Sequence, residues 1–120
     1  MKILFVDNHA AFTAVVVETF LPGHEVVTVP TITAARRALT EPALPPFDVA
    51  LVDYDLDDGK GDELVRWCRA TNLSRPLIAV SARADGNTAL LAARADRACA
   101  KIDFARIGAV LAELVVTSQT

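Results

Sequence analysis

Short apolar runs, each stopped by a polar residue, recur along this chain with helix-length segments between them. Ile-Leu-Phe-Val at 3–6 stops at Asp7, and Val-Ala-Leu-Val at 49–52 stops at Asp53. Leu-Ile-Ala-Val at 77–80 stops at Ser81, and the short Ala-Cys-Ala at 98–100 stops at Lys101. A β-branched run, Val-Val-Thr-Val at 26–29, completes a set of five. Strands that are apolar at consecutive positions have no face to offer water, so both faces need cover. Strands alternating with helices meet that need through right-handed crossovers and a parallel sheet.

The fold class expected is therefore α/β; the pattern does not fix the strand order, and a flavodoxin-like (βα)5 doubly wound, five-stranded parallel sheet in the order 2-1-3-4-5 is expected as the commonest way to close so small a repeat. A first helix is expected over 11–21, stopped by the breaker pair Pro22-Gly23. Thr33 is the expected cap of a second helix over 34–39. Pro42, Pro45 and Pro46 force an irregular surface connection. An acidic loop, Asp55 to Gly61, precedes a helix over 62–70 that puts Leu64, Val65 and Cys68 on one face, with Arg66 and Trp67 at its flanks. A fourth helix is expected over 89–95. Asp103 is the expected cap of a last one, with Phe104, Ile107, Leu111 and Leu114 at helical spacing.

The 120 residues fit one domain, 1–120, whose core needs neither disulfides nor metal staples. No apolar run approaches the roughly 18–20 residues of a membrane span, so no membrane association is expected. Asp7 falls where a secretory leader would still be apolar. The net charge of −3, with Lys and Arg dispersed, argues against direct nucleic-acid binding. Cys68 and Cys99 lack any metal-binding or redox spacing and read as two buried, reduced thiols of a cytoplasmic protein.

In a sheet of this kind ligands bind beyond the carboxyl ends of the strands. Asp7 with Asn8, Asp53, Ser81 and Lys101 all end strands, so four chemically useful groups converge on one edge. Asp55, Asp57 and Asp58 add carboxylates from the third loop; a merely solvated loop explains them equally well. Neighbouring carboxylates need a cation, and Mg²⁺ suits a few carboxylates and waters. Lys101 supplies a mobile charge and Ser81 a donor hydroxyl. Such a set can make an aspartate a nucleophile toward phosphorus.

These residues resemble the receiver domain of two-component response regulators over essentially the whole chain. Lys2-Ile-Leu-Phe-Val-Asp7-Asn8-His9 is similar to the family's opening strand and acidic pair. Asp48-Val-Ala-Leu-Val-Asp53 through Gly61 is similar to its phosphoacceptor strand and loop. Leu77 through Ser81-Ala82, and Ala95-Asp96 followed by Lys101, match its later strands. The resemblance implies a phosphorelay domain whose phosphoacceptor is Asp53, with Lys101 and Ser81 gripping the phosphoryl group. It implies Mg²⁺ held by Asp7, Asn8, Asp53 and the carbonyl of Asp55. It also implies a histidine kinase or phosphotransfer protein as donor, a downstream effector protein as target, and signalling or homodimerisation through the fourth helix, fifth strand and fifth helix (α4-β5-α5). Self-catalysed phosphorylation and dephosphorylation would be its only chemistry.

Five positions depart from the family pattern. Asn8 stands for the second acid and removes a negative charge beside the cation. Ala98 stands for the aromatic switch residue, Ile102 for the proline after the lysine, and Asp57-Asp58 for Pro-Gly. Asn8 and Ala98 favour an alternative, an atypical receiver that acts as a phosphorylation-independent interaction module. An ion pair between Asp55 and Arg83, each two residues past a strand end, is expected across the mouth. Asp53-Tyr54-Asp55 is also faintly similar to the nucleophile motif of haloacid-dehalogenase-type phosphatases, but lies on the third strand instead of the first. The opening residues are similar to class I glutamine amidotransferases, whose Gly-x-Cys-x-Gly elbow is missing.

Overall fold

A computed structural model describes residues 1–41 and 46–118, with side chains through 114. Pro42, Pro45 and the polar end from Gln119 lie outside the described residues, as does the side chain of Val115.

The elements follow the expected alternation. They are β1 (Lys2–Val6), α1 (Ala10–Phe20), β2 (Glu25–Val29), α2 (Ile32–Thr40) and β3 (Val49–Val52). A two-stranded antiparallel hairpin comes next, β4 (Asp55–Leu56) with β5 (Gly59–Lys60), then α3 (Gly61–Ala70) and β6 (Leu77–Ala79). The chain closes with α4 (Ala84–Ala92), β7 (Arg97–Ala98), a 3₁₀ segment at Lys101–Arg106 and α5 (Ile107–Ser118). The main sheet is parallel, in the order β2-β1-β3-β6-β7, which is the expected 2-1-3-4-5 once the hairpin strands are set aside.

Successive strand residues face opposite sides of the sheet, so each continuous apolar run feeds two cores. Leu4, Val6, Ala50, Val52, Leu77 and Ala79 pack with Ile32, Ala35, Leu64, Val65, Cys68 and Leu90, under α2, α3 and α4. Ile3, Phe5, Val49, Leu51, Ile78 and Val80 pack with Val16, Phe104, Ile107, Val110 and Leu111, under α1 and α5. Phe5 stacks on Phe104 with centroids 5.8 Å apart, and Phe12 meets both rings edge-on. Each of these cores is a layer of the doubly wound fold.

Several element boundaries differ from the sequence expectation. The cap of α2 is Thr31, whose hydroxyl accepts the Ala34 N–H at 3.0 Å; Thr33 already lies in the first turn. α4 starts five residues early, at Ala84, with Gly86 inside it despite that residue's poor helix propensity. Asp103 does not cap the last helix. It sits at φ −107°, ψ 23° inside a 3₁₀ segment that begins at Lys101, and Ala100 is the N-cap. The acidic loop is ordered by pairing of Asp55 with Lys60 and of Leu56 with Gly59. Both cysteines are buried and free, and burial pushes the Cys68 thiol up to about 11, where it is unreactive.

Most of the apolar residues considered for the α4–β7–α5 surface face the sheet. Leu90, Ala93, Phe104, Ile107, Val110, Leu111 and Leu114 are buried, and Ala89 is half-buried. Leu91 on α4 and Ile102 after Lys101 remain exposed, the latter at 91%. Among the described residues no helix is long and apolar enough to cross a membrane.

Candidate functional site

The sheet order changes direction between β1 and β3, and a crevice forms where neighbouring crossovers leave on opposite faces. Asp7 and Asp53 end these two strands. The Asp7 N–H donates to the Val29 carbonyl at 3.0 Å and the Asp53 N–H to the Val6 carbonyl at 2.9 Å, so the ladder runs right up to both acids. Lys101 is held to the neighbouring strand end by its own N–H, 3.2 Å from the Ser81 carbonyl. Its ammonium reaches back to 2.9 Å from Asp7 Oδ2 and 3.1 Å from Asp53 Oδ2. The Phe12 ring lies 4.7 Å beneath that ammonium and helps to aim it. Asp7 and Asp53 are 4% and 3% exposed, so this is a buried charge cluster and not a surface pair.

Burial raises the Asp53 carboxyl above its ordinary value, and the charge of Asp7 raises it further. Lys101 and the Tyr54 N–H, which donates to Oδ1 at 2.8 Å, pull it down without cancelling the rise. One ammonium thus underneutralises two buried acids. Two further oxygens point to a place for a second cation. Asp7 Oδ2 is buried and receives no hydrogen bond, its partner being the ion-paired ammonium, and Asn8 Oδ1 is buried with no partner at all. This oxygen-rich donor set fits a hard divalent ion.

The other expected site residues are placed less centrally. Asn8 donates its amide N–H to Asp57 Oδ1 at 2.9 Å, which orients the amide oxygen the other way. The Asp55 side chain turns away from Asp53 and pairs with Lys60 at 2.5 Å and with Arg83 at 3.1 Å, so the expected ion pair across the mouth is present. Hydrogen bonds from Lys60 hold its carboxyl below the usual range, and Arg83 adds to the effect. Asp58 faces α2 instead of the site, accepting the N–H groups of Ile32 at 2.7 Å and Thr33 at 3.0 Å. Ser81 is buried and touches Lys101 through its backbone; its Oγ accepts the Arg83 N–H at 3.1 Å, which leaves the hydroxyl hydrogen free for another acceptor.

Three residues of the site were not singled out in the sequence. His9 is the first. Its Nδ1 lies 3.2 Å from Asp7 Oδ1, 3.6 Å from Asp53 Oδ2 and 3.1 Å from the Lys101 ammonium. The second, Asn87, clamps Ser81 from both sides: its Oδ1 accepts the Ser81 N–H at 2.9 Å and its Nδ2 donates to the Ser81 carbonyl at 3.1 Å. The third is Gly86, where a Cβ would stand 2.5 Å from Ser81 Oγ and 2.9 Å from Tyr54 Cβ. A glycine in the first turn of a helix is a signal of close approach, but it could not be used in the sequence, where the helix was expected to begin only at 89. Gly61 plays the same part for Asp53, whose carbonyl oxygen would lie 1.9 Å from an added Cβ. A surface cavity of about 550 Å³ lies at the opposite, amino ends of the strands beside Met1, Val49 and Pro76 and takes no part in this cluster.

Neither a family model nor a curated protein matches the chain. Solved structures do. The receiver domain of a Francisella response regulator superposes with a TM-score of 0.80 at 16% identity, covering 99% of this chain and 98% of its own. A CheY-like response regulator receiver domain protein from Methanospirillum hungatei gives 0.77 at 24% identity, covering 98% and 94%. The response regulator protein TrrA of Thermotoga maritima, solved in complex with Mg²⁺ and BeF, gives 0.81 at 19% identity, covering 94% and 97%. The chain has the fold of the response regulator receiver domains.

Proposed function

We propose that this chain is a receiver domain that accepts a phosphoryl group on Asp53 and signals through the state of that residue. The observation that carries the reading is the convergence of Asp7, Asp53 and the Lys101 ammonium within 3.1 Å at the switch point of a receiver fold. The donor is a histidine kinase, a phosphotransfer protein or a small acyl phosphate. A carboxylate oxygen of Asp53 forms the bond to phosphorus as the donor's P–N or P–O bond breaks and its electron pair leaves with the departing group.

Lys101 stays beside the new phosphoryl oxygens because its ammonium already rests 3.1 Å from Asp53 Oδ2. Ser81 donates its hydroxyl hydrogen to one of those oxygens, and the Asn87 clamp sets where that hydroxyl stands. Asp7, Asn8 Oδ1, Asp53 and the Asp55 carbonyl would hold Mg²⁺, which supplies charge neutralisation on the phosphoryl oxygens. Phosphorylation would then be read by an effector protein, or by a second copy, at the α4–β7–α5 face.

A second reading, a phosphorylation-independent interaction module, is favoured by two observations. Asn8 weakens the acidic pair, and Ala98 on β7 is exposed with no ring for Ser81 to exchange with. One experiment separates the two readings: incubate the protein with Mg²⁺ and acetyl phosphate and follow intact mass. The receiver reading predicts a single phosphoryl adduct that disappears in Asp53→Asn; an unmodified parent protein selects the module.

A further inference from the structure

His9 has no assigned part in the phosphoryl chemistry, yet its Nδ1 points at the place where the two acids meet. Among the described residues, Asp7, His9 and Asp53 form a group whose ligand-type atoms all lie within 4.8 Å of one another. We infer that His9 is a third side-chain ligand of the cation site, and that Asp7, His9 and Asp53 together take a borderline divalent ion such as Zn²⁺ or Co²⁺ more tightly than Mg²⁺. The inference rests on the proposed function only in placing a cation between Asp7 and Asp53.

One of the two His9 separations matches a shared metal and the other exceeds it by a few tenths of an ångström, which a small side-chain shift closes. Nitrogen and oxygen ligands about 2.1 Å from a zinc-like ion stand roughly 3.0–3.4 Å from each other. The His9 Nδ1 lies 3.2 Å from Asp7 Oδ1 and 3.6 Å from Asp53 Oδ2. A cation already sits among these three side chains, namely the Lys101 ammonium, at 2.9 Å from Asp7, 3.1 Å from Asp53 and 3.1 Å from His9 Nδ1. An ammonium can only donate, so the Lys101 contact uses the tautomer whose Nδ1 lone pair points inward, the form able to ligate a metal, whereas the Asp7 Oδ1 contact at 3.2 Å uses the one with Nδ1–H. The His9 backbone N–H donates to Asp7 Oδ1 at 2.7 Å, which ties the ring's root to the carboxylate that would share the ion. Asp7 is 4% exposed, and its Oδ2 meets only the Lys101 ammonium, whereas His9 is exposed enough to admit a hydrated ion.

The chemistry sets the selectivity. Mg²⁺ prefers oxygen and keeps its water, and imidazole adds little for it. Ions later in the first transition row gain from a nitrogen ligand. Asn8 in place of an acid subtracts a charge that Mg²⁺ depends on more, and His9 adds a donor that Mg²⁺ uses less.

The test follows imidazole nitrogens by NMR, with binding measured by calorimetry. The chain has two histidines, and His24 Nδ1 lies 3.1 Å from the N-terminal amine, a second place for a soft ion. The experiment is therefore run on a His24→Gln background. One equivalent of Zn²⁺ is expected to shift the His9 Nδ1 resonance. His9→Asn is expected to weaken Zn²⁺ and Co²⁺ by at least about tenfold while changing Mg²⁺ affinity by less than about twofold. Asp53→Asn is expected to weaken all three. An unmoved His9 resonance at saturating Zn²⁺, or an unchanged Zn²⁺ affinity in His9→Asn, overturns the inference. Phosphoryl uptake with Mg²⁺ is scored separately. Uptake with a silent His9 removes this inference and keeps the receiver, while a shifted His9 without uptake does the reverse.

Discussion

Arg83 and Asp55 stand two residues past the strand-end groups Ser81 and Asp53, and their side chains meet at 3.1 Å over the mouth of the site. Arg83 is also tied to Asp85 at 2.9 Å, and Asp55 to Lys60. All of these side chains are at least a third exposed, so the pairs add little to stability. Their effect falls on access. Arg83→Ala is expected to raise the rate of phosphorylation by acetyl phosphate by roughly tenfold, equivalent to about 1.4 kcal/mol of barrier, with an unchanged melting temperature. A rate equal to that of the parent would dismiss the gate. Gly61→Ala acts on the backbone of Asp53 from behind. Its Cβ would press on the Asp53 carbonyl, and a urea titration should show a loss of about 2–3 kcal/mol. At this scale the strand-end acids, Lys101 and the Asp55–Arg83 pair were legible from position alone. His9 and Asn87 were not, because a residue just beyond a strand end, or one turn into a helix, acquires a role only from where its side chain is turned.

The helices and the hairpin depend on contacts between segments far apart in the chain. Asp58 shows this most clearly. It lies on the β4–β5 hairpin yet satisfies the first N–H groups of α2, and it accepts the Thr33 hydroxyl at 2.9 Å. Asp58 is exposed; the slight desolvation beside α2 opposes its ionisation, but the donors from Ile32 and Thr33 outweigh that and lower the carboxyl below its usual value. The sign follows from linkage. A depressed folded-state value stabilises the fold above the ordinary aspartate range, and that contribution is lost as pH falls through the folded-state value. Asp58→Ala should therefore cost about 1 kcal/mol at neutral pH. Parallel denaturant titrations should show the difference shrinking in acid. A penalty that stays constant with pH would mean the carboxylate charge contributes nothing. Local sequence pointed to Thr33 as the cap and left the acidic loop open between a solvated and a functional reading, because a capping group from another element leaves no local pattern.

For the molecule as a whole, two half-cores on either side of one sheet bring the carboxyl ends of all five main strands to a single edge. The face made by α4, β7 and α5 buries most of its apolar residues against the sheet and leaves Leu91 exposed. If the phosphorylated state is read there by a second copy, beryllofluoride with Mg²⁺ should convert a monomer to a dimer by light scattering, and Leu91→Asp should prevent it. A monomer in both conditions would leave the effector protein as the reader.

The parallel α/β architecture followed from the sequence because it rests on pattern: apolar runs of strand length, alternating with helices, have few ways to cover both faces of a sheet, although the order of the strands was expected only as the commonest closure. The same pattern marked which polar groups would end up on one edge, since each strand end is identified by where its apolar run stops. Only the tertiary structure decided which of those groups touch. It set the Lys101 ammonium between Asp7 and Asp53, turned Asp55 and Asp58 away, and brought the His9 ring in. Hydrophobic burial depends on residue type and spacing, which the sequence carries. Electrostatics and metal coordination depend on separations of a few ångströms between residues distant in the chain, which exist only after folding.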